Sequence, residues 1–353
     1  MKIWKRMVLL AAVFGTVLLT GCDDELRKVY EQAAKDLEQE AYEYALEGYQ
    51  QSIRNSYMPA QSYRGCGIAL LEMGDYEKAI ENFDSALGCE DINDSLKRDI
   101  LAYRATARLK QKQYDLAMVD CQDLADLGGM NKETYYLSGK VALFMDSYDE
   151  AAGYFEKAYA DAPSYETAIH IYEAYLEREM EADGTKYLEA SLSSQPKTAE
   201  DYCDRGRIYY YMDDYDNARE CLITASEKGN TEALILLGMV YLAQGDASNS
   251  RAMYQQFIAE EGSSAKGYNG LALCDIQDGN YEAALVNISN GKNIATTEEL
   301  QSLMFNEAVV YERMQDYETA QKKMAEYNRL FPGDAAAEKE LVFLKSRTGL
   351  GGE

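Results

Sequence analysis

From residue 22 onward the chain repeats one arrangement of apolar and polar positions. The stretch GDYEKAIENFDSAL (74–87) recurs as DSYDEAAGYFEKAY (146–159), DDYDNARECLITAS (213–226), GNYEAALVNISNGK (279–292) and QDYETAQKKMAEYN (315–328). Weaker copies are EAYEYALEGYQQSI (40–53), KQYDLAMVDCQDLA (112–125) and GDASNSRAMYQQFI (245–258). Aligned on Tyr42, Tyr76, Tyr114, Tyr148, Tyr215, Ala247, Tyr281 and Tyr317, the copies stand 34, 38, 34, 67, 32, 34 and 36 residues apart. The interval of 67 holds two periods, filled by a degenerate copy with Glu181 in the tyrosine slot and Pro196 at its end. A fixed period of this size marks stacked supersecondary units, none of which can bury its apolar face alone.

The slots around each anchor constrain the packing. Nine residues before it stand Ala33, Gly67, Ala105, Gly139, Gly206, Gly238, Ala272 and Ala308, all small enough to let two helix axes approach. Three residues after it stand Ala45, Ala79, Ala117, Ala151, Ala218, Ala284 and Ala320, with Ser250 the exception. A large knob follows: Tyr49, Phe83, Phe155, Leu188, Leu222, Tyr254, Ile288 or Met324. Tyr63, Leu101, Tyr135, Tyr202, Leu234 and Tyr268 are placed to pack between successive units.

This period and these slots resemble the tetratricopeptide repeat (TPR), a pair of antiparallel helices joined by a short turn. The resemblance implies an all-α fold, an α-solenoid of about nine TPR-like helix-turn-helix repeats over residues 22–333. The fifth copy departs most. Tyr172 fills its small slot and Gly184 its alanine slot, which predicts a splayed or kinked pair. Such arrays need a polar-backed end. Residues 334–348 read as an amphipathic capping helix with Asp334 as N-cap and Leu341, Phe343 and Leu344 to bury, followed by a loose tail, 349–353.

The first 21 residues break this pattern. Lys2, Lys5 and Arg6 precede a run of uncharged residues, 7–19, which as a helix covers roughly 20 Å against a hydrocarbon core of about 30 Å. A basic end, a short apolar middle and small residues before the break are the parts of a secretory signal. The break, Leu19-Thr20-Gly21-Cys22, resembles the bacterial lipobox. That resemblance implies a diacylglyceryl group on the Cys22 thiol, cleavage just before it, and a lipid anchor on the outer face of the bacterial cytoplasmic membrane. An ordinary cleaved signal and an uncleaved span are the competing readings. Two or more acyl chains suffice for stable anchoring. Asp23 resembles an inner-membrane retention signal, a point that matters only in a two-membrane host. Leu26, Val29 and Ala33 already begin the first helix, so the array is expected close to the bilayer.

Charge narrows the partners. The 61 acidic and 35 basic residues leave a net charge of −26, and loss of the leader's three cations lowers it to about −29. A chain of this sign lacks the basic face that nucleic acid requires. It would also be repelled by an anionic leaflet, which makes a covalent anchor more necessary. The 30 tyrosines, against 8 phenylalanines and 1 tryptophan, suit half-buried helix positions with one wet side.

Chemistry is sparse. His170 is the sole histidine and stands on a first helix. No phosphate loop, HExxH pair or nucleophile elbow occurs. Carboxylate pairs such as Asp213-Asp214 or Glu177/Glu181 read as solvated helix faces. Cys66, Cys89, Cys121, Cys203, Cys221 and Cys274 show no CxxC spacing and read mostly as buried free thiols, Cys121 being a second-helix knob. Cys203 and Cys221 lie on the two helices of one pair, which leaves a disulfide open. No metal and no small-molecule cofactor is expected, only the covalent lipid on Cys22.

In the repeat family the first helices line a concave face. Its inward slots fall here on Arg64, Ile68, Leu71, Tyr136, Lys140, Leu143, Phe144, Ile169, Glu173, Leu176, Arg207, Tyr210, Tyr211, Met239, Leu242, Asn269, Ile276 and Phe305. Rings supply area and cations orient a carboxylate or carbonyl, so Tyr136, Lys140, Phe144, Arg207, Tyr210 and Tyr211 form the expected contact patch, with Arg64 and Glu173 completing the partner-binding set. Leu71, Leu143, Leu176 and Leu242 compete for a different role, sealing adjacent repeats. Two functions follow. One is a membrane-anchored extracytoplasmic scaffold that binds peptides or proteins and is not an enzyme. The other is an extracytoplasmic enzyme, such as a glycan-active one, whose minimal sign is a carboxylate beside Glu173. A solute-binding receptor would need alternating strands and helices, which are lacking.

Overall fold

The computed structural model describes residues 22–90 and 92–349. The expected signal, the side chain of Cys22 and the end of the tail lie outside these residues. Among the described residues there are 19 helices and no strand. They form nine consecutive pairs: α1 (Cys22–Glu38) with α2 (Tyr42–Arg54), α3 (Pro59–Glu72) with α4 (Tyr76–Leu87), and α5 (Asp94–Lys110) with α6 (Tyr114–Asp126). Next come α7 (Lys132–Phe144) with α8 (Tyr148–Asp161), α9 (Tyr165–Leu176) with α10 (Glu181–Ser191), and α11 (Ala199–Tyr211) with α12 (Tyr215–Glu227). The last pairs are α13 (Glu232–Ala243) with α14 (Ala247–Glu261), α15 (Ala265–Gln277) with α16 (Tyr281–Lys292), and α17 (Thr297–Arg313) with α18 (Tyr317–Leu330), before the terminal α19 (Ala335–Thr348).

One turn joins the helices of every pair. The aligned residues, Glu181 included, all open a second helix. Two positions earlier the backbone is left-handed at Glu40, Gly74, Lys112, Asp146, Glu179, Asp213, Gly245, Gly279 and Gln315. The next residue donates its N–H to the carbonyl five positions back, as Asp75 does to Leu70 (2.9 Å) and Met180 to Tyr175 (3.0 Å). This is the Schellman closure, which satisfies carbonyls that a helix end leaves open. Asp75, Asp214, Asp246 and Asp316 then cap the second helix, each accepting from a backbone N–H three residues on.

Above the turn, size complementarity sets the approach of the two helices. All seven alanines of the alanine slot are 0 % exposed. A Cβ built on Gly67 would stand 2.5 Å from the Phe83 ring, one on Gly206 2.5 Å from Leu222, and one on Gly238 2.5 Å from the Tyr254 ring. At these glycine slots the space is filled by the knob of the same pair. The Tyr254 ring also lies against Gly270 of the following first helix, as Tyr49 lies against Gly65. Ser250 is accommodated because its hydroxyl donates to the Gly238 carbonyl at 2.8 Å.

The fifth pair is not splayed. A Cβ on Gly184 would meet the Tyr172 Cα at 2.9 Å, and Tyr172 and Leu188 are both buried. The large and small residues have exchanged helices, so the axes still approach closely. At the chain's end Asp334 accepts from the N–H groups of Ala336 and Ala337 and from the Tyr327 hydroxyl. Ala337 and Leu344 are buried, whereas Phe343, expected inside, is exposed and lies under the Arg347 guanidinium at 5.0 Å. Positions 337, 341 and 344 share one helical stripe, and Phe343 falls off it.

The chain divides into two compact units after Ser191. The first contains α1–α10, with a core that includes Tyr49, Leu70, Phe83 and Tyr103. The second contains α11–α19, with buried residues that include Leu222, Val240, Ile288 and Met324. Within the second unit the Arg205 guanidinium, on α11, donates to the carbonyls of Leu192 (3.2 Å) and Ser194 (2.6 Å).

Candidate functional site

Most residues singled out by slot lie on a partly exposed stripe of the first helices, but Ile68, Leu143 and Ile169 are buried and belong to the core. In the first unit, α7 supplies Tyr136, Lys140 and Phe144 at i, i+4 and i+8, one face of a helix. The neighbouring first helix, α9, supplies His170 and Glu173, and Glu177 and Arg178 follow its last turn. These residues come together. Lys140 Nζ donates to Glu177 Oε1 at 2.7 Å and lies 6.0 Å from the Phe144 ring centre. Arg178 lies 5.4 Å over the same ring and pairs with Asp146. The Tyr136 ring packs on His170 at 6.2 Å and on Phe155 at 5.9 Å.

Burial works against the Lys140 charge, but Tyr136, Glu177 and Glu173 outweigh it and raise the ammonium pKa. Burial pushes the Tyr136 hydroxyl up as well, so it remains a neutral donor at any ordinary pH. Leu143 is wholly buried and seals the helices, while Leu176 is open to solvent.

Arg64, on α3, sits apart from that cluster. Its guanidinium pairs with Asp99 of α5 and lies 5.4 Å from the Tyr103 ring. In the second unit Arg207 pairs with Glu232 of the next first helix at 2.9 Å. Burial opposes the Arg207 charge, and Glu232 and Asp204 hold it in place. Tyr210 is half-buried and contacts Tyr211 and Tyr215, each at 6.1 Å between ring centres. The expected patch thus consists of separate groups in two units. All three of its cations are committed to carboxylates.

Asp99 and Glu232 have no place in the slot pattern, and Glu177, read from sequence as part of a solvated face, is instead the partner of Lys140. Asp99 stands 35 residues after Arg64, Glu177 37 after Lys140, and Arg178 32 after Asp146. An opposite charge about one period further on marks these three pairs, but not Arg207 and Glu232, which stand 25 residues apart. No disulfide joins Cys203 to Cys221. The Cys89 thiol donates to the Ser85 carbonyl at 3.4 Å and the Cys274 thiol to the Ser250 hydroxyl at 3.2 Å.

A tetratricopeptide repeat family model matches residues 203–249 and 235–285. The chain is similar to the mitochondrial import receptor subunit TOM70 of Rattus norvegicus, 21% identical over 285 residues, covering 76% of this chain and 46% of the receptor subunit. It is also similar to Hsp70-Hsp90 organizing protein 3 of Arabidopsis thaliana, 25% identical over 210 residues, covering 56% of this chain and 36% of the relative. The chain therefore spans less than half the length of these curated relatives. Among solved structures, a tetratricopeptide repeat protein from Parabacteroides merdae ATCC 43184 superposes with a TM-score of 0.48 at 16% identity, covering 71% of this chain and 99% of that one. The matched repeats and the nine helix pairs make the fold an α-solenoid of tetratricopeptide repeats.

Proposed function

We propose that this protein is a protein–protein interaction scaffold, held by a lipid on Cys22 at the outer face of a bacterial cytoplasmic membrane. The observation that carries the binding role is the first-helix stripe, where rings and charges are held at fixed spacing on packed helix pairs. Such a surface offers area and orientation, which is what peptide and helix recognition needs. The names of the two curated relatives, an import receptor subunit and an organizing protein, agree with a role in holding other proteins. The anchor rests on the lipobox-like Leu19-Thr20-Gly21-Cys22 after a short apolar run.

Cross-linked pulldown from membranes tests both parts. Wild-type protein is expected to retain a defined set of partners, which Tyr136→Ala together with Tyr211→Ala depletes while the thermal melt confirms a folded chain. Cys22→Ser is expected to release the protein from the membrane fraction. Unchanged capture by the tyrosine variants would remove the assigned stripe, and unchanged membrane retention of the serine variant would remove the anchor.

A further inference from the structure

The ion pairs on the stripe of α7 and α9 are arranged with the cations beneath and the carboxylates on top. Lys140 is 17% exposed and its partner Glu177 is 49% exposed. Arg178 is 30% exposed against 64% for Asp146, and Lys132 is 20% exposed against 39% for Glu166. The charged heads of Lys140 and Arg178 both lie over the Phe144 ring, at 6.0 Å and 5.4 Å from its centre. Solvent therefore meets carboxylates and the open Leu176 side chain. An incoming carboxylate would have to break the 2.7 Å Lys140–Glu177 bond and enter the field of a chain with 26 excess negative charges. An incoming cation meets neither obstacle.

From this we infer that the stripe of α7 and α9 takes a lysine- or arginine-bearing segment of a partner protein. The inference rests on the scaffold reading and adds the partner's chemistry to it. The partner's guanidinium or ammonium is received by Glu177 and Asp146, and its apolar neighbours by Leu176 and the edge of Phe144. Charge complementarity of this kind sets partner choice and encounter rate more than total affinity.

The test uses the intact protein and three short synthetic peptides of equal length: one alternating Lys or Arg with Tyr, one with Glu in place of the cations, and one neutral and helical. The basic peptide is expected to bind best, and more weakly as salt rises. Glu177→Gln with Asp146→Asn keeps acceptors for Lys140 and Arg178 but removes the two charges. It is expected to weaken the basic peptide about tenfold, the scale on which a charged contact is lost. Glu282→Gln with Glu318→Gln, an equal charge change on exposed second-helix positions of the other unit, is expected to cost less than about twofold.

Equal losses from both pairs would reduce the effect to the overall charge and overturn the inference. Tighter binding of the acidic or neutral peptide, abolished by Tyr136→Ala, would overturn it and leave the scaffold reading standing. Binding of none of the three would overturn the inference, while the scaffold reading would be decided by the membrane pulldown.

Discussion

Gly67 lies directly beneath the ring of Phe83, with room for a hydrogen but not for a methyl: a Cβ there would stand 2.5 Å from the ring. The two residues belong to facing helices of one pair, and their offset of 16 recurs at Gly139 and Phe155, Gly206 and Leu222, and Gly238 and Tyr254. Gly67→Ala is expected to destabilise the first unit by about 1–3 kcal/mol through overpacking, despite the better helix propensity of alanine. Phe83→Leu in the same chain should recover part of that loss. Chemical denaturation of the single and double variants measures it, and simple additivity would show that the pair does not share one space.

The repeated turn predicts the opposite sign for glycine elsewhere. Lys112 and Gln315 hold left-handed backbone at φ 61° and 63°, where a β-carbon costs roughly 1 kcal/mol. Lys112→Gly and Gln315→Gly should each raise stability by up to about 1 kcal/mol, less the extra freedom of glycine in the unfolded chain. Gly245→Ala, at φ 79°, should lower it by a similar amount. Melting temperatures that move the other way at these three positions would contradict the turn geometry.

Acid sensitivity should centre partly on Glu307. Burial raises its pKa, but Lys292 (2.7 Å) and Lys323 (2.9 Å) outweigh burial and hold it below the usual carboxylate range. A carboxyl whose folded pKa is depressed contributes stability above its unfolded value of about 4.3 and loses it as pH falls through the folded one. Glu307→Gln should therefore flatten the acid limb of the second unit's stability curve and change little below that limb. An unaltered acid limb in urea titrations at several pH values would exclude this ion triad as a contributor.

Thiol reactivity offers a direct reading of the packing. Burial pushes the Cys66 and Cys121 thiols up to about 12, and Cys203 and Cys274 are buried as well. Only Cys89 and Cys221 are partly accessible among the described cysteines. Native protein should react with a thiol reagent first at those two positions, at a rate held down because burial raises both thiol pKa values, and at the buried four only on unfolding. Mass spectrometry of the labelled peptides identifies the sites, and a pair of unreactive residues at 203 and 221 after denaturation without reductant would instead reveal a disulfide.

The sequence made the repeat legible because its rules are local. A period near 34, a small slot and a knob are all written within one unit, so Gly67 and Phe83 each have a slot in the sequence pattern; that the ring of one fills the space left by the other is shown by the structure. The fifth copy was harder. Tyr172 and Gly184 each looked like a defect, and only their meeting across the pair shows that one size change offsets the other. The stripe was half legible in the same sense. Slot rules identified Lys140 and Arg207, but their carboxylate partners sit on a neighbouring first helix. Which cation a given carboxylate selects depends on how adjacent pairs stack, and no rule within one repeat contains that.

The ring of Tyr254 touches Gly238 in its own pair and Gly270 in the next. A side chain shared in this way makes neighbouring hairpins melt together, because opening either one strips half the ring's contacts from the other. The length over which such rings continue unbroken sets the size of the cooperative block, so hydrogen exchange across α13–α15 should be released in one step, not helix by helix.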